Sequence, residues 1–420
     1  MASDGSSSNV REAGGIWTRG YTGLMISQFA GAVNDNLLKG ALLVLVVAPN
    51  LWADVLGPAS TGWVSFALTF PFIIFLGYAG QLADRYSKRT MVVWVRASEL
   101  PIVLLIAAGF WTESFAMTFA GFLLLATQSA FFNPAKYGMI REVTSTGLLS
   151  KANGLIVLCT MVAIIGGTAA SGFLVDGGQG GVIIGFTLVP VAVIGLLGAW
   201  LIPPLEPVDR SRRWEWNPLA RYWSDLSAMR GGPLFPAVLA WSFFYFISIM
   251  IITVIPELQK PMGGTTGDTS ILLGTATLGI GVGCAVAGMC SRGRIRVGMV
   301  PSGTAGLFIS WLLLGLLPLD FTTTMILLLV GGISAGFFIV PLQAMQQRLA
   351  PPAQRARYIA SANALCYVLM SLAALVYVGL IHLGVMPQQI FLVCSGCTLL
   401  ILVALLIRPS ALRFNESDYA

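Results

Sequence analysis

Gly80-Gln81-Leu82-Ala83-Asp84-Arg85-Tyr86-Ser87-Lys88-Arg89 is the stretch of sequence that decides the fold. It is a short basic connection between two apolar runs, at about 60–80 and 90–110, and each run is about as long as a membrane helix must be. The whole chain of 420 residues is 56% hydrophobic and only 10% charged. A soluble domain carries about 25% charged residues. The composition therefore predicts that most of this chain is surrounded by lipid.

Apolar runs of membrane-spanning length recur along the whole chain. Each is bounded by short polar connections, and together they predict an all-α membrane protein with twelve transmembrane helices. The predicted segments are about 21–47, 60–80, 90–110, 115–135, 149–174, 182–202, 234–256, 270–290, 299–317, 322–342, 361–381 and 389–408.

Basic residues alternate strictly between the two sides of the predicted membrane. Of the 24 Lys and Arg residues, all but Lys39, Arg96 and Lys260 fall on the side that carries residues 80–89. Because basic loops stay in the cytoplasm, this side and both termini are predicted to be cytoplasmic. The net charge of +6 is explained by this topology, so a nucleic-acid partner is not expected.

The longest connection divides the predicted helices into two sets of six. Ser129–Pro134 resembles Ser334–Pro341, and Ala152–Leu155 resembles Ala362–Leu365, in the same order along each half. This repetition predicts two pseudo-symmetric six-helix bundles. The predicted units are a cytoplasmic tail at 1–20, an N-terminal bundle at 21–202, a cytoplasmic linker at 203–233, a C-terminal bundle at 234–408 and a second tail at 409–420.

The linker is rich in Arg and Trp between positions 212 and 223. This composition predicts an amphipathic segment on the inner headgroups, with a solvated linker as the alternative.

Catalytic and metal chemistry are not expected. His382, predicted in a short loop, is the only histidine, so neither a catalytic triad nor a histidine metal site can be built. The six cysteines lie in or at the ends of apolar runs, and Cys394 and Cys397 are interpreted as packing residues within a helix. We predict no cofactor and no enzymatic activity.

Residues 80–89 resemble the signature that members of the major facilitator superfamily carry between their second and third helices. Ser87 stands where that signature usually has Gly, which predicts a turn made without a positive φ. The resemblance implies a latch that closes the cytoplasmic side, with Asp84 facing a helix N-terminus, where a carboxylate is favoured. The alternative is that these basic residues only set topology. The predicted gate residues are Gly80, Asp84, Arg85, Lys88 and Arg89.

Two further motifs resemble a narrower family. Gln28–Lys39, together with Ala130–Gly138 and the following Lys151–Gly154, is similar to bacterial lysophospholipid transporters and to the transporter portion of fused acyltransferase/acyl-carrier-protein synthetase chains. The resemblance is clear over the first five segments and looser afterwards. It implies uptake of lysophospholipids across the bacterial inner membrane by alternating access. A lipid acyltransferase is a possible partner, and a monomer is expected.

The first segment concentrates polar residues near its middle. Asn34, Asp35, Asn36 and Lys39 fall within six positions, and a charge there costs about 2.5–3.5 kcal/mol on insertion scales. Asp35 and Lys39 are four apart and could form a pair that holds the bundle together. Alternatively, this face lines the cavity and binds a polar headgroup.

The third segment carries a second candidate charge pair. Arg96 and Glu99 share a helix face, so Glu99 could neutralise Arg96, or the arginine could reach the cytoplasmic surface. We favour a structural role for this pair.

Polar residues of the fourth and fifth segments complete the predicted substrate site. Lys136 could attract a lipid phosphate, or could serve only as a topology signal, and Pro134 frees a backbone carbonyl beside it. The further candidates are Gln128, Asn133, Tyr137 and Asn153.

Two other functions remain open. One is a proton-coupled exporter of drugs or other small amphipaths, with Asp35 as the proton site. The other is a non-transporting membrane partner of a lipid acyltransferase that docks on residues 212–223.

Overall fold

The computed structural model describes residues 16–47, 51–53, 55–145, 148–175, 180–206, 214–291, 295–351 and 354–407. Every regular element in these ranges is helical. The helices are α1 (Arg19–Leu45), α2 (Ser60–Arg85), α3 (Lys88–Trp111), α4 (Phe115–Val143), α5 (Leu149–Val175), α6 (Gly180–Leu201), α7 (Pro218–Ala228), α8 (Leu234–Val254), α9 (Gln259–Met262), α10 (Thr266–Ser291), α11 (Met299–Leu316), α12 (Phe321–Leu349), α13 (Arg355–His382) and α14 (Pro387–Ile407).

Long apolar helices make up almost the whole described chain. Eleven helices within the described ranges are long and apolar enough to cross a membrane, with α8 and α9 forming one run over Leu234–Met262. Helix α1 is equally long but less apolar, because Asn34, Asp35, Asn36 and Lys39 lie in its middle. With α1 as the twelfth, each predicted segment coincides with a helix. The predicted all-α membrane fold is confirmed.

Some helices run well beyond the predicted membrane segments. Helix α4 continues to Val143 and α12 to Leu349, whereas the segments were predicted to end near 135 and 342. At 1.5 Å per residue, a helix of 29 residues is about 43 Å long and exceeds the roughly 30 Å hydrocarbon layer. Hydropathy marks where the lipid ends, not where the backbone hydrogen bonds end. For the same reason His382 is the last residue of α13, and its predicted position in a loop is wrong.

The apolar cores form separately within the two sets of helices. Helices α8–α14 share one large cluster that includes Met250, Phe338 and Phe391. Helices α1–α6 contain two clusters, one around Leu42 and the other around Tyr21. Small residues set the helix spacing, as they commonly do in membranes, where packing replaces the hydrophobic effect. A Cβ on Gly336 of α12 would collide with the backbone of α10, so these two helices touch through their backbones.

The two sets of helices meet through a line of polar side chains on α2, α8 and α13. Ser65 Oγ lies 2.6 Å from Thr253 Oγ1, and Thr69 Oγ1 lies 2.8 Å from Ser371 Oγ. Thr61 Oγ1 donates to a Glu257 carboxylate oxygen at 3.2 Å. We call Thr61, Ser65, Thr69, Thr253, Glu257 and Ser371 the polar seal.

The polar seal lies at one end of the bundle only. Thr61 is near the start of α2, and Arg85 at the other end is about 36 Å away along the helix axis. Helices α5 and α10 also touch at the sealed end, where Gly172 packs against Ser270. The structure is therefore closed at the end remote from α7, which we call the far end, and the end with Arg85 and α7 is the linker end.

Candidate functional site

The polar residues of α1 divide between two environments. Asn34 is fully buried, and its side-chain amide donates to Glu99 Oε1 at 2.8 Å and to the Leu188 carbonyl oxygen at 3.2 Å. Asp35, Asn36 and Lys39 are only half-buried and lie on another face of the helix. Asn34 therefore fixes α1 within the bundle, while the other three residues are accessible.

Asp35 and Lys39 do not form the ion pair that their spacing allows. Asp35 Oδ2 accepts a hydrogen bond from Ser129 Oγ of α4 at 2.7 Å, and Lys39 Nζ donates to Asn36 Oδ1 at 2.7 Å. Among the described residues, neither charge has a salt-bridge partner. The expectation of a self-neutralised pair is wrong, because Ser129 and Asn36 hold the two side chains instead. Both charges can thus interact with a ligand.

Arg96 and Glu99 form a buried ion pair inside the bundle of α1–α6. Arg96 Nη1 lies 2.5 Å from Glu99 Oε2, and the two side chains are 3% and 1% exposed. The Arg96 Nε donates to Ser27 Oγ at 3.0 Å, and the guanidinium stacks 4.2 Å above the Phe132 ring. Gly31 of α1 leaves the space that this guanidinium occupies. The alternative that Arg96 reaches the bundle surface is therefore wrong.

Gln128 completes the network around this pair. Its amide nitrogen donates to the Val95 carbonyl oxygen at 3.0 Å and to Glu99 Oε2 at 3.4 Å. Because it is buried and occupied by these contacts, its geometry suits a structural role better than the substrate contact predicted for it. We call Ser27, Asn34, Arg96, Glu99 and Gln128 the arginine network.

The predicted residues of α4 and α5 lie at different depths. Lys136 is 7% exposed and within electrostatic reach of Asp35 and Arg96, so it is inside the bundle and not at its surface. Asn133 is half-buried on the same helix, and Asn153 is exposed near the start of α5. The side chain of Tyr137 lies outside the described residues.

The structure thus assembles a smaller site than the sequence predicted. Ser129 was missed by the sequence analysis, although it opens the repeated Ser-Ala block and therefore occupies a marked position on α4. We call Asp35, Asn36, Lys39, Ser129 and Lys136 the polar group. It places one carboxylate and two ammonium groups beside two neutral polar side chains. This combination can bind a ligand that carries both an anionic and a cationic moiety.

The gate motif is mostly helical. Asp84 and Arg85 lie in the last turn of α2, Lys88 begins α3, and only Tyr86 and Ser87 connect them. Ser87 has φ −55° and ψ 125°, so the short connection is made in extended geometry and needs no glycine. The motif was predicted as a loop, but its ends belong to the two helices.

The basic residues of the gate motif bind the neighbouring elements. Lys88 forms an ion pair with Glu142 of α4, and Arg89 Nε donates to the Ile202 carbonyl oxygen at 2.9 Å. Gly80 has open space around it. The contacts of Lys88 and Arg89 hold the ends of α3, α4 and α6 together, which is more than a topology signal requires.

The linker segment from Trp214 to Arg230 contacts both sets of helices at the linker end. Near its start, Gln81 of α2 exchanges two hydrogen bonds with the Glu215 backbone, at 3.0 and 2.7 Å. Near its end, buried Asp225 accepts from Ser361 Oγ at 2.8 Å and lies 2.9 Å from Arg357 Nε, both on α13. The segment therefore bridges α2 and α13 where those helices are not held by the polar seal. The predicted Arg212 and Arg213 lie outside the described residues.

Comparisons with known proteins were made for the whole chain. Residues 24–375 match the family described as Major Facilitator Superfamily. The chain is 27% identical over 343 residues to a protein of Citrobacter koseri named lysophospholipid transporter LplT, covering 79% of this chain and 81% of that protein. A Pectobacterium carotovorum protein of the same name is 29% identical, with 79% of each chain covered. A crystal structure of a POT family transporter in complex with 5-aminolevulinic acid superposes with a TM-score of 0.74 at 10% identity, covering 94% of this chain and 97% of that one.

Proposed function

Because this chain belongs to the major facilitator superfamily, we propose that it is a secondary transporter that moves lysophospholipids across the bacterial inner membrane by alternating access. The two moving units are residues 21–202 and 234–408, joined by the linker at 203–233. The linker end faces the cytoplasm, in agreement with the basic residues on that side. The tails at 1–20 and 409–420 are cytoplasmic, and the protein acts as a monomer without catalytic activity.

The polar group is the observation that carries this proposal. Charges inside a membrane bundle are expensive and generally mark substrate pathways. Here the carboxylate of Asp35 and the ammonium groups of Lys39 and Lys136 are available to the ammonium and phosphate of a zwitterionic headgroup. The name shared by the two bacterial relatives supports a lysophospholipid as the substrate.

Uptake of lysophosphatidylethanolamine into proteoliposomes tests the proposal. We expect Asp35→Asn to reduce uptake at least about tenfold, a loss of about 1.4 kcal/mol, because an amide cannot attract the headgroup ammonium. Uptake of a lysophospholipid without an ammonium group should fall less.

Asp320→Asn is the matched control. Asp320 is exposed and caps α12 by accepting from the Thr323 backbone N–H at 2.9 Å, and asparagine caps helices equally well. Hydrogen bonds from Thr323 hold the pKa of Asp320 below its usual range, so this substitution also removes a charge. Wild-type uptake no higher than in empty liposomes would refute the proposal.

A proton-coupled exporter of small amphipaths is a second candidate. Asp35 supports it, because an intramembrane carboxylate with no salt-bridge partner among the described residues could carry a proton. Imposing and then collapsing a proton gradient separates the two functions. An antiporter should stop when the gradient collapses, whereas lipid movement down its own gradient should continue.

A further inference from the structure

An apolar cleft lies in the second set of helices, between α8, α10, α11 and α12. It encloses about 430 Å³, within the range of small-molecule sites. Ser248 and Thr277 are the hydroxyl-bearing residues of its lining. Most of the remaining lining is hydrophobic, including Phe244, Ile251, Ile280, Trp311, Leu328 and Ala335.

The cleft holds one polar atom that its surroundings do not satisfy. Trp311 is 6% exposed, and among the described residues its indole N–H has no hydrogen-bond acceptor. Leaving such a group unpaired is unfavourable, so buried N–H groups normally have a partner. A ligand that is apolar but carries a single oxygen acceptor would satisfy both the lining and this N–H.

The cleft also adjoins the polar group. Ile252 lines the cleft and packs against the apolar cluster of α1 that contains Leu37 and Leu38. These two leucines lie between Asn36 and Lys39 of the polar group, and α1 is in contact with α10. A polar site on one side of α1 is thus followed by an apolar cleft on the other side of the interface.

We propose that this cleft binds the single acyl chain of the substrate while the polar group binds its headgroup. The assignment rests on the proposed function for the identity of the headgroup, but the cleft itself selects only for an apolar chain. Gly331 and Gly332 bring α12 against Trp311 and α10, so the cleft cannot widen easily. One chain is therefore accommodated and a diacyl lipid is excluded.

Filling the cleft should change chain-length selectivity without changing headgroup selectivity. Thr277→Phe places a ring in the cleft, so we expect uptake of a long-chain lysophospholipid to fall about tenfold relative to a short-chain one, as expected when an apolar pocket loses room for methylenes. Ser248→Phe, from α8, should have the same effect and covers the case in which Thr277→Phe does not fold.

Thr187→Phe is the matched control. Thr187 and Thr277 are both helical threonines whose Oγ1 donates to the carbonyl four residues earlier, at 2.7 Å to Ile183 and 3.0 Å to Leu273. Thr187 lies on α6, away from the cleft, and its substitution should leave the chain-length preference unchanged.

Photo-crosslinking then locates the chain directly. A lysophosphatidylethanolamine with a diazirine at the chain end should label peptides of α8, α10 or α12 in the wild type and in Thr187→Phe, but not in Thr277→Phe. Equal labelling in all three proteins, or an unchanged chain-length preference in both cleft variants, would overturn the inference.

The experiment also separates this inference from the proposed function. Labelling of the cleft by chains with any headgroup, without headgroup-dependent uptake, would support the cleft and refute the lysophospholipid assignment. Headgroup-dependent uptake with labelling outside the cleft would do the reverse.

Discussion

Glu99→Gln is expected to lower the free energy of unfolding by about 3–5 kcal/mol, the usual cost of removing one partner from a buried ion pair. Arg96 would remain 3% exposed and charged, with only Ser27 and the face of Phe132 close to it. The glutamine could still accept from Asn34, so the loss would come mainly from the unpaired guanidinium. The measurement is thermal or denaturant unfolding of the purified protein in detergent.

Two comparisons make this result specific. The double variant Arg96→Met/Glu99→Met removes both charges and should be more stable than Glu99→Gln, because apolar side chains replace buried ion pairs well. Glu215→Gln breaks a partly exposed pair with Arg221 and should cost only about 0–1 kcal/mol. If Glu99→Gln were as mild as Glu215→Gln, the arginine network would not be a structural centre of the bundle.

The sequence was sufficient for the fold because membrane insertion imposes two independent periodic constraints. Each helix must contain about 20 apolar residues, and basic residues must alternate in side. Both constraints apply locally, so they could be read without knowing any tertiary contact. The ends of α4 and α12 were missed because a helix outside the lipid can remain hydrogen-bonded with polar residues, and hydropathy does not respond to that.

The site was less predictable because it depends on which helix faces which. Sequence spacing correctly placed Asp35 and Lys39 on one face, but it could not show that Ser129 of α4 and Asn36 would engage them first. It also grouped Gln128 with the substrate residues, although that side chain is turned toward Val95 and Glu99. The apolar cleft left no signal at all, since its lining resembles ordinary helix packing.

A disulfide across the polar seal should abolish transport completely and reversibly. Ser65 Oγ and Thr253 Oγ1 lie 2.6 Å apart, so their Cβ atoms are close enough for the roughly 3.5–4.5 Å separation that a disulfide needs. In the double variant Ser65→Cys/Thr253→Cys, oxidation would join α2 to α8 at the far end. Alternating access requires these helices to separate there, so uptake should stop on oxidation and return with a reducing agent.

A disulfide within one set of helices provides the matched control. Cys366 Sγ already lies 3.2 Å from Ser242 Oγ, both within the set α8–α14, so Ser242→Cys creates a pair that does not cross the seal. Rigid-body movement of the two sets leaves this distance unchanged, and uptake should survive oxidation. If both disulfides formed and both left uptake intact, the polar seal would not open during transport. If both abolished it, movement within the second set would be required, and the two halves could not act as rigid units.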